Sequence, residues 1–475
     1  MVGGAQWPAG PPGAGICGTE CGQSHCADCR IGYSAMTANQ GRLAPEERRA
    51  LLLGPLYRIL GTPVTAVLGL ANTAIIVRET GEAVFGLVSL VATITLLFPF
   101  ADLGIGATAL SAAAMLSGEN RDAAVDVIRR AYRVLFGVAG VLITVALCIM
   151  MLDGWGVLVG FASGPEDRWA ITAAACVFAF TIPAGLGPRI LVGIDRNPLA
   201  TLVLMSCPAF GLGITGLLYA IDVSGIWYGI SALGGLLIGQ TVGTVLALRL
   251  SGLRWTVFSP VSPSRTGSRL LAGSMWLFLA GVGLPIGSQA GRVLLAHLST
   301  PEELSRYALI AQIYAIGWQV LSTAALAYWP IFVKRREATE VTIRMWWRLT
   351  GALAGVGVIA MLCLGLLGPW AASVLSGGRI DVSASLALAF GVVLVGQALH
   401  LPAAVLLTRP NEARWQALWA LVMAVISITV GSIAAVRFGA VGVAYASALA
   451  IFAAQVIPDL LWVPRLVRRR SLARD

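Results

Sequence analysis

Charge is what this 475-residue chain lacks most: charged residues make up 12% of it, against 57% hydrophobic. A soluble domain is about one-quarter charged, so a water-soluble body of this length is excluded. Lysine is nearly absent, with Lys334 standing alone among 33 basic residues. Histidine is scarce too: His25, His297 and His400 are the three present, and none stands beside acidic residues in a metal or triad spacing. No Gly-x-x-x-x-Gly-Lys-Ser/Thr loop exists to cradle a nucleotide phosphate, which excludes ATP hydrolysis by this chain. Residues 1–40 contain no apolar signal-peptide segment, so membrane insertion is expected to rely on the first hydrophobic span. No stretch between hydrophobic runs is long enough for a catalytic domain. The chain therefore reads as a non-enzyme with no cofactor and no metal.

What it does have is hydrophobic runs of the length that crosses a hydrocarbon core, about twenty residues. Twelve candidate spans fall near 51–77, 83–116, 131–152, 169–187, 199–221, 226–250, 271–295, 304–333, 349–369, 383–408, 415–436 and 439–463. The second is long for one straight helix, and Pro99, Gly104 and Gly106 are expected to kink it. The net charge of +10 does not mark a nucleic-acid binder, because the arginines sit in short segments between the runs. They also alternate. One side gathers 27 of the 33 basic residues, among them Arg121, Arg129, Arg130, Arg133, Lys334, Arg335 and Arg336. The other keeps Arg78, Arg168, Arg292, Arg306, Arg379 and Arg437. The positive-inside rule then places both termini in the cytoplasm.

An internal repeat divides the spans. A shift of 215 lays Arg129 on Arg344, Arg133 on Arg348, Gly140 on Gly355 and Cys148 on Cys363. Nearby shifts bring Arg78 to Arg292 and Gly225 to Gly439. Six spans separate the copies, so both enter from the same side, related by an axis along the membrane normal. The expected fold is an all-α membrane protein of twelve helices in two six-helix lobes. Residues 1–50 form a disordered cytoplasmic tail, 51–250 the first lobe, 251–270 a cytoplasmic linker, 271–463 the second lobe and 464–475 a basic tail. Cys17, Cys21, Cys26 and Cys29 with His25 resemble a thiolate metal site. Their spacing is irregular and their surroundings are Gly/Pro-rich, so the tail reading is preferred, or a true start at Met36.

Function in such a chain is declared by polar groups placed in lipid. In the first span Arg58, Thr62, Thr65, Gly69 and Asn72 recur at helical spacing. The seventh carries Ser274, Gly281, Pro285, Ser288, Gln289 and Arg292; the eighth aligns Gln312, Gln319 and Thr323. Gln397 and His400 stand a turn apart in the tenth. Such stripes suit helices facing a hydrated cavity, though Ser, Thr and Gly stripes also serve close helix packing. Arg78 and Arg292 admit two readings, cavity-facing or snorkelling to lipid phosphates, and Arg58 can be a helix-end anchor. His400 reads either as a packing residue or as a proton carrier. Asp102, in the segment FADLGIG, needs a cationic or backbone partner at membrane depth, for capping a broken helix or for ion coupling. The candidate substrate-binding set is Arg58, Asn72, Arg78, Asp102, Gln289, Arg292, Gln312, Gln319, Gln397 and His400.

Two stretches carry a likeness: IIVRETGEAVFGLVSLVATITLLFPFADLGIG at 75–106 and VLLAHLSTPEELSRYALIAQI at 293–313. They resemble the paired first/second and seventh/eighth helix signatures of bacterial O-antigen and capsule flippases. Those belong to the multidrug/oligosaccharidyl-lipid/polysaccharide (MOP) exporter superfamily. Phe85-Gly86 and Tyr307 match the residues that open the helix after the outer turn, and Asp102-Leu103-Gly104 matches an Asp-x-Gly element. One departure is Gly291 before Arg292, where relatives often carry an acid, which leaves any coupling through that acid in doubt. The resemblance implies a MATE-like fold and a flippase for polyprenyl-(pyro)phosphate-linked sugars, working by alternating access. It implies as partners the lipid-linked saccharide, membrane lipids and other polysaccharide-assembly proteins, with cavity arginines neutralising the phosphate. A multidrug or metabolite exporter of the same superfamily, or a non-enzymatic scaffold in envelope polysaccharide synthesis, stays open as an alternative. Reporter fusions after residues 260 and 475 should both give cytoplasmic signals; a periplasmic signal at either contradicts the twelve-span arrangement.

Overall fold

Inside a hydrocarbon layer no water is available to the backbone, so a segment crosses only if its own N–H and C=O groups pair. The chain meets that demand with helices. A computed structural model describes residues 45–93, 105–116, 121–160, 164–253, 258, 290–334, 338–407 and 410–472. Residues 1–51 and 52–475 separate as two units, and the second holds the helix bundle. The elements are α1 (Pro45–Ala92), α2 (Ile105–Ala114), α3 (Arg121–Met151), α4 (Trp155–Val159), α5 (Pro165–Ala184), α6 (Leu186–Gly193), α7 (Asn197–Ala220) and α8 (Gly229–Ser251). After a helix over 290–298, called α9, come α10 (Pro301–Leu326), α11 (Trp329–Lys334), α12 (Thr339–Ser376), α13 (Ala384–Leu406), α14 (Pro410–Ile451) and α15 (Ile457–Leu472). Among the described residues there is no strand, and eight helical stretches are long and apolar enough to cross a membrane. The chain is a multi-pass membrane protein.

Two of the long helices are broken by one glycine each. Gly81 in α1 has φ 75° and Gly439 in α14 has φ 56°, the left-handed region that lacks a Cβ penalty for glycine alone. Each break marks the turn expected between two spans. Gly225, matched to Gly439 by the repeat, is also left-handed at φ 77°. These turns and those near 299–300 and 377–378 define one end of the helix bundle, the turn end.

Most of the seventh span and of the 251–270 linker, the cysteine-bearing tail and the expected kink at Pro99 and Gly104 lie outside the described residues. Two boundaries differ from expectation: α1 begins at Pro45, within the stretch 1–50 read from sequence as a disordered tail. Residues 464–472, read from sequence as a tail, continue α15 as helix. Val463 and Val467 are buried there, and Arg468 pairs with Glu340 at 3.2 Å. A basic composition hid an amphipathic face.

Packing within each half depends on small residues, since lipid tails give helices no hydrophobic reason to associate. A methyl group added at Gly235 of α8 would collide with the Gly211 amide of α7, so those backbones touch. The main helix pairings keep α2–α8 among themselves and α10–α15 among themselves. One apolar cluster nonetheless crosses between the halves near the turn end, through Val77, Phe85, Ala296, Leu304, Ala440 and Val443.

A Cβ at Gly439 would also run into the Glu303 carboxylate. Gly439→Ala should therefore destabilise the protein by about 1–2 kcal/mol, read as a lower unfolding midpoint in detergent. Gly351→Ala, on an open face of α12 with nothing within 4 Å, should hold or raise that midpoint.

Candidate substrate cavity and its closed end

The halves are bonded together at the turn end. Arg306, in the first turns of α10, reaches Glu82 of α1 at 3.3 Å and Glu303 at 3.0 Å. Glu303 in turn accepts the Ala440 amide at 2.7 Å, just past the Gly439 turn. Ser305 donates to the Glu82 carbonyl. Arg78 donates to the Val374 carbonyl at 3.0 Å, and Arg379 donates back to the Arg78 carbonyl. A ring nitrogen of His297 lies 3.1 Å from the Val157 carbonyl. These contacts tie two turns of the second half to two of the first, and Glu303 links the Gly439 turn to them.

The local sequence explains why they meet. Thr300 caps α10, accepting from the Glu303 amide, and Pro301 opens the first turn, a strong helix start. That start fixes Ser305 and Arg306 facing Glu82. Gly86 lets them close: a Cβ there would lie 2.6 Å from the Ser305 hydroxyl.

Toward the opposite end the halves part around a cavity of about 540 Å³. It is lined by Thr62, Thr65, Ala66, Gly69 and Leu70 of α1, by Pro188, Val192, Asn197, Ala200, Thr201, Leu204, Met205 and Pro208 of α6–α7, and by Gln312, Ala315, Ile316 and Gln319 of α10. Gln312 lies twelve residues along the helix from Thr300, about 18 Å at 1.5 Å per residue. These lining residues include no charged side chain. The polar groups among these described residues are hydroxyls and amides, set among apolar walls, which can hydrogen-bond a ligand rich in hydroxyls.

The sequence-derived candidates divide between these places. Gln312 and Gln319 line the cavity together with Thr62, Thr65 and Gly69 of the first-span stripe. Asn72, from the same stripe, accepts from Thr215 of α7 at 2.5 Å and ties α1 to its own half. Arg78 sits in the closed end. Arg292 lies on α9 beside Gly291, which packs against the Tyr307 hydroxyl and Val443; its Nε is buried without a hydrogen-bond partner. Neither arginine is in the cavity wall in this conformation. Gln397 and His400 are buried on α13, within the second half. Arg58 lies on α1 at a position whose side chain falls outside the described residues, as do Asp102 and Gln289 altogether.

Sequence reasoning missed Glu82, Glu303 and Arg306, and Asn197 and Thr201 of the cavity. A signal existed for the first three, since the two stretches that carry the family likeness, 75–106 and 293–313, contain them. Around Glu82 and Arg306 these two stretches meet in space.

A family profile described as "Polysaccharide biosynthesis protein" matches residues 51–336. Among solved structures the fold resembles one described as the inward-facing conformation of a multidrug resistance MATE family transporter of the MOP superfamily. The TM-score is 0.69 at 15% identity, covering 88% of this chain and 98% of that one. An outward-facing conformation of a MATE family transporter gives 0.59 at 17% identity, covering 90% and 96%. The lipid II flippase MurJ, in an inward closed conformation, gives 0.58 at 14% identity, covering 88% and 90%. No curated protein matches significantly.

The closed end can be locked. In a chain freed of its native cysteines, Gly86→Cys with Ser305→Cys should form a disulfide on mild oxidation, because their Cβ atoms would approach the usual separation of about 3.8 Å. The bond should halt transport, and reductant should restore it; Ser305→Cys alone should be indifferent to both treatments.

Proposed function

The chain belongs to the polysaccharide biosynthesis protein family, and on that premise we propose that it flips polyprenyl-(pyro)phosphate-linked saccharides across a bacterial cell membrane by alternating access. The observation that carries this reading is the cavity: about 540 Å³, opening away from the bonded end, its described lining polar through Thr, Asn and Gln. A sugar cannot cross hydrocarbon by itself, because each hydroxyl stripped of water without a partner costs kilocalories. Amide and hydroxyl side chains replace that water without placing a fixed charge in the wall. A cationic drug would call for an acidic wall instead, and the lining residues among those described include no acid.

With the arginine-rich side in the cytoplasm, the cavity opens to the inner leaflet and the bonded turns close the outer face. The head group enters the cavity while its lipid tail stays in the bilayer. Rocking of the halves then breaks the Glu82–Arg306 contact and opens the outer end. Arg78 and Arg292 stand at that end, where a guanidinium fork matches phosphate oxygens. They would meet the (pyro)phosphate on its way out. Outward movement of negative charge is favoured by an inside-negative potential, by about 2.3 kcal/mol per charge per 100 mV.

Flipping of a polyprenyl-diphosphate-linked oligosaccharide in proteoliposomes tests this. Gln312→Leu and Gln319→Leu should each lower the rate about tenfold, the size of one lost hydrogen bond, with protein abundance unchanged. Arg78→Gln and Arg292→Gln should also slow it, and Arg→Lys should rescue in part, keeping charge without the fork. Full activity in both glutamine-to-leucine variants, or efflux of a cationic dye in place of sugar flipping, overturns the reading.

A further inference from the structure

The sequence shows no acid near His400, yet the fold brings one to it. Asp459 stands fifty-nine residues further on, in the first turn of α15, and its Oδ2 lies 2.7 Å from His400 Nδ1. Both side chains are almost wholly enclosed, 7% and 2% exposed. This is the tightest enclosed pairing of ionisable side chains among the described ion pairs, and it takes no part in the cavity or the closed end. Either the ring Nδ1 or a protonated carboxyl can donate in that bond, according to the tautomer. Gain or loss of one proton changes the net charge of the pair by one.

Its place in the fold gives that proton mechanical reach. Asp459 follows a π-helical turn, Phe452–Val456, in which the Ile457 amide bonds five residues back to Phe452. Pro458 comes next and has no N–H to give, so the backbone ladder is weakened twice just before Asp459. On the partner helix Pro402 interrupts α13 two residues after His400. Further polar groups lie a turn away on each helix, Gln397 and Gln455. The Gln455 side-chain nitrogen is buried with no hydrogen-bond partner, a costly arrangement that a repacking of this junction can relieve. A net charge that comes and goes at two interrupted helices shifts how they pack.

Other ionisable groups stand on the packed elements. Glu302, Glu303, Arg306, Tyr307 and Tyr314 are on α10, Lys334 ends α11, and Glu340, Arg344, Arg348 and Cys363 are on α12. Glu412 and Arg414 open α14, which also carries Arg437 and Tyr445, and Arg465, Arg468, Arg469 and Arg470 are on α15. Of the acids, Glu302 and Glu303 stand at the turn end, Glu340 is exposed and pairs with Arg468, and Glu412 is buried and serves as the control.

We propose that the His400–Asp459 pair is a proton-binding site whose loading and unloading couples a proton gradient to the rocking of the halves. It rests on the flippase reading and adds the coupling ion and its seat. The proton comes from water on one face and returns to water on the other, and nothing is oxidised or reduced. Behind α10, whose Gln312 and Gln319 face the cavity, α13 packs with Leu394 against Gly317, so a shift of α13 is felt at the cavity wall.

The first arm of the test needs no sugar. Proteoliposomes on a solid-supported membrane, given a pH step across the range where histidine changes charge, about pH 5 to 8, should show a charge-displacement transient. His400→Gln and Asp459→Asn should abolish it, Asp459→Glu should keep it, and Glu412→Gln should keep it. The second arm imposes a pH gradient during flipping of a polyprenyl-diphosphate-linked oligosaccharide. The native protein should speed up about tenfold, and Asp459→Asn should not respond. A transient that survives in both His400→Gln and Asp459→Asn, one absent from the native protein, or flipping indifferent to the gradient overturns the proton site and leaves the flippase reading standing. A pair-dependent transient without sugar flipping supports the site and counts against that reading instead.

Discussion

The contact from Glu82 through Arg306 and Glu303 to the Ala440 amide is what the rest of the structure depends on. It joins the first half of the chain to the second at one end of the bundle. Each of its charges is only partly shielded from solvent, so it is of modest strength, which suits a bond that the proposed cycle would break and remake. Two halves held at one end leave room at the other. The cavity between Thr62, Asn197 and Gln312 follows from that asymmetry.

The membrane sets the terms for everything else. Helices that gain no hydrophobic energy by meeting in lipid must meet through close backbone contact, and Gly235 against Gly211 shows how close. Polar side chains at membrane depth then need reasons. Asn72 is used up binding Thr215, whereas Gln312 and Gln319 face open space. Proximity in one stripe did not mean one purpose. The arginines at 78 and 292 stand away from the cavity, toward the end that is shut.

Much of the fold was legible in the sequence because helices in lipid are written as long apolar runs. Turns with glycine at 81 and 439 fell where spans were expected to part, and Gly225 shares the left-handed backbone of its repeat partner Gly439. The eighth-span glutamines followed from simple helical spacing. What stayed hidden depended on pairings between distant segments. Asp459 lies near the end of its span among Pro, Leu and Trp, and nothing local connects it with His400; only the packing of α13 on α15 does. Glu82 and Arg306 read as ordinary turn residues until the two turns are seen to touch. The arginines near the C-terminus looked like a tail because their buried partners, Val463 and Val467, are spaced a helical turn apart among charges.

The central claim is that the two ends of this bundle open in opposition when a lipid-linked sugar binds. Spin labels at Ala83 and Asp381 would report the closed end, and labels at Arg196 and Tyr328 the cavity end. On adding a polyprenyl-diphosphate-linked oligosaccharide, the first distance distribution should gain a longer component while the second gains a shorter one. Distances that stay fixed, or that lengthen together at both ends, would contradict that claim.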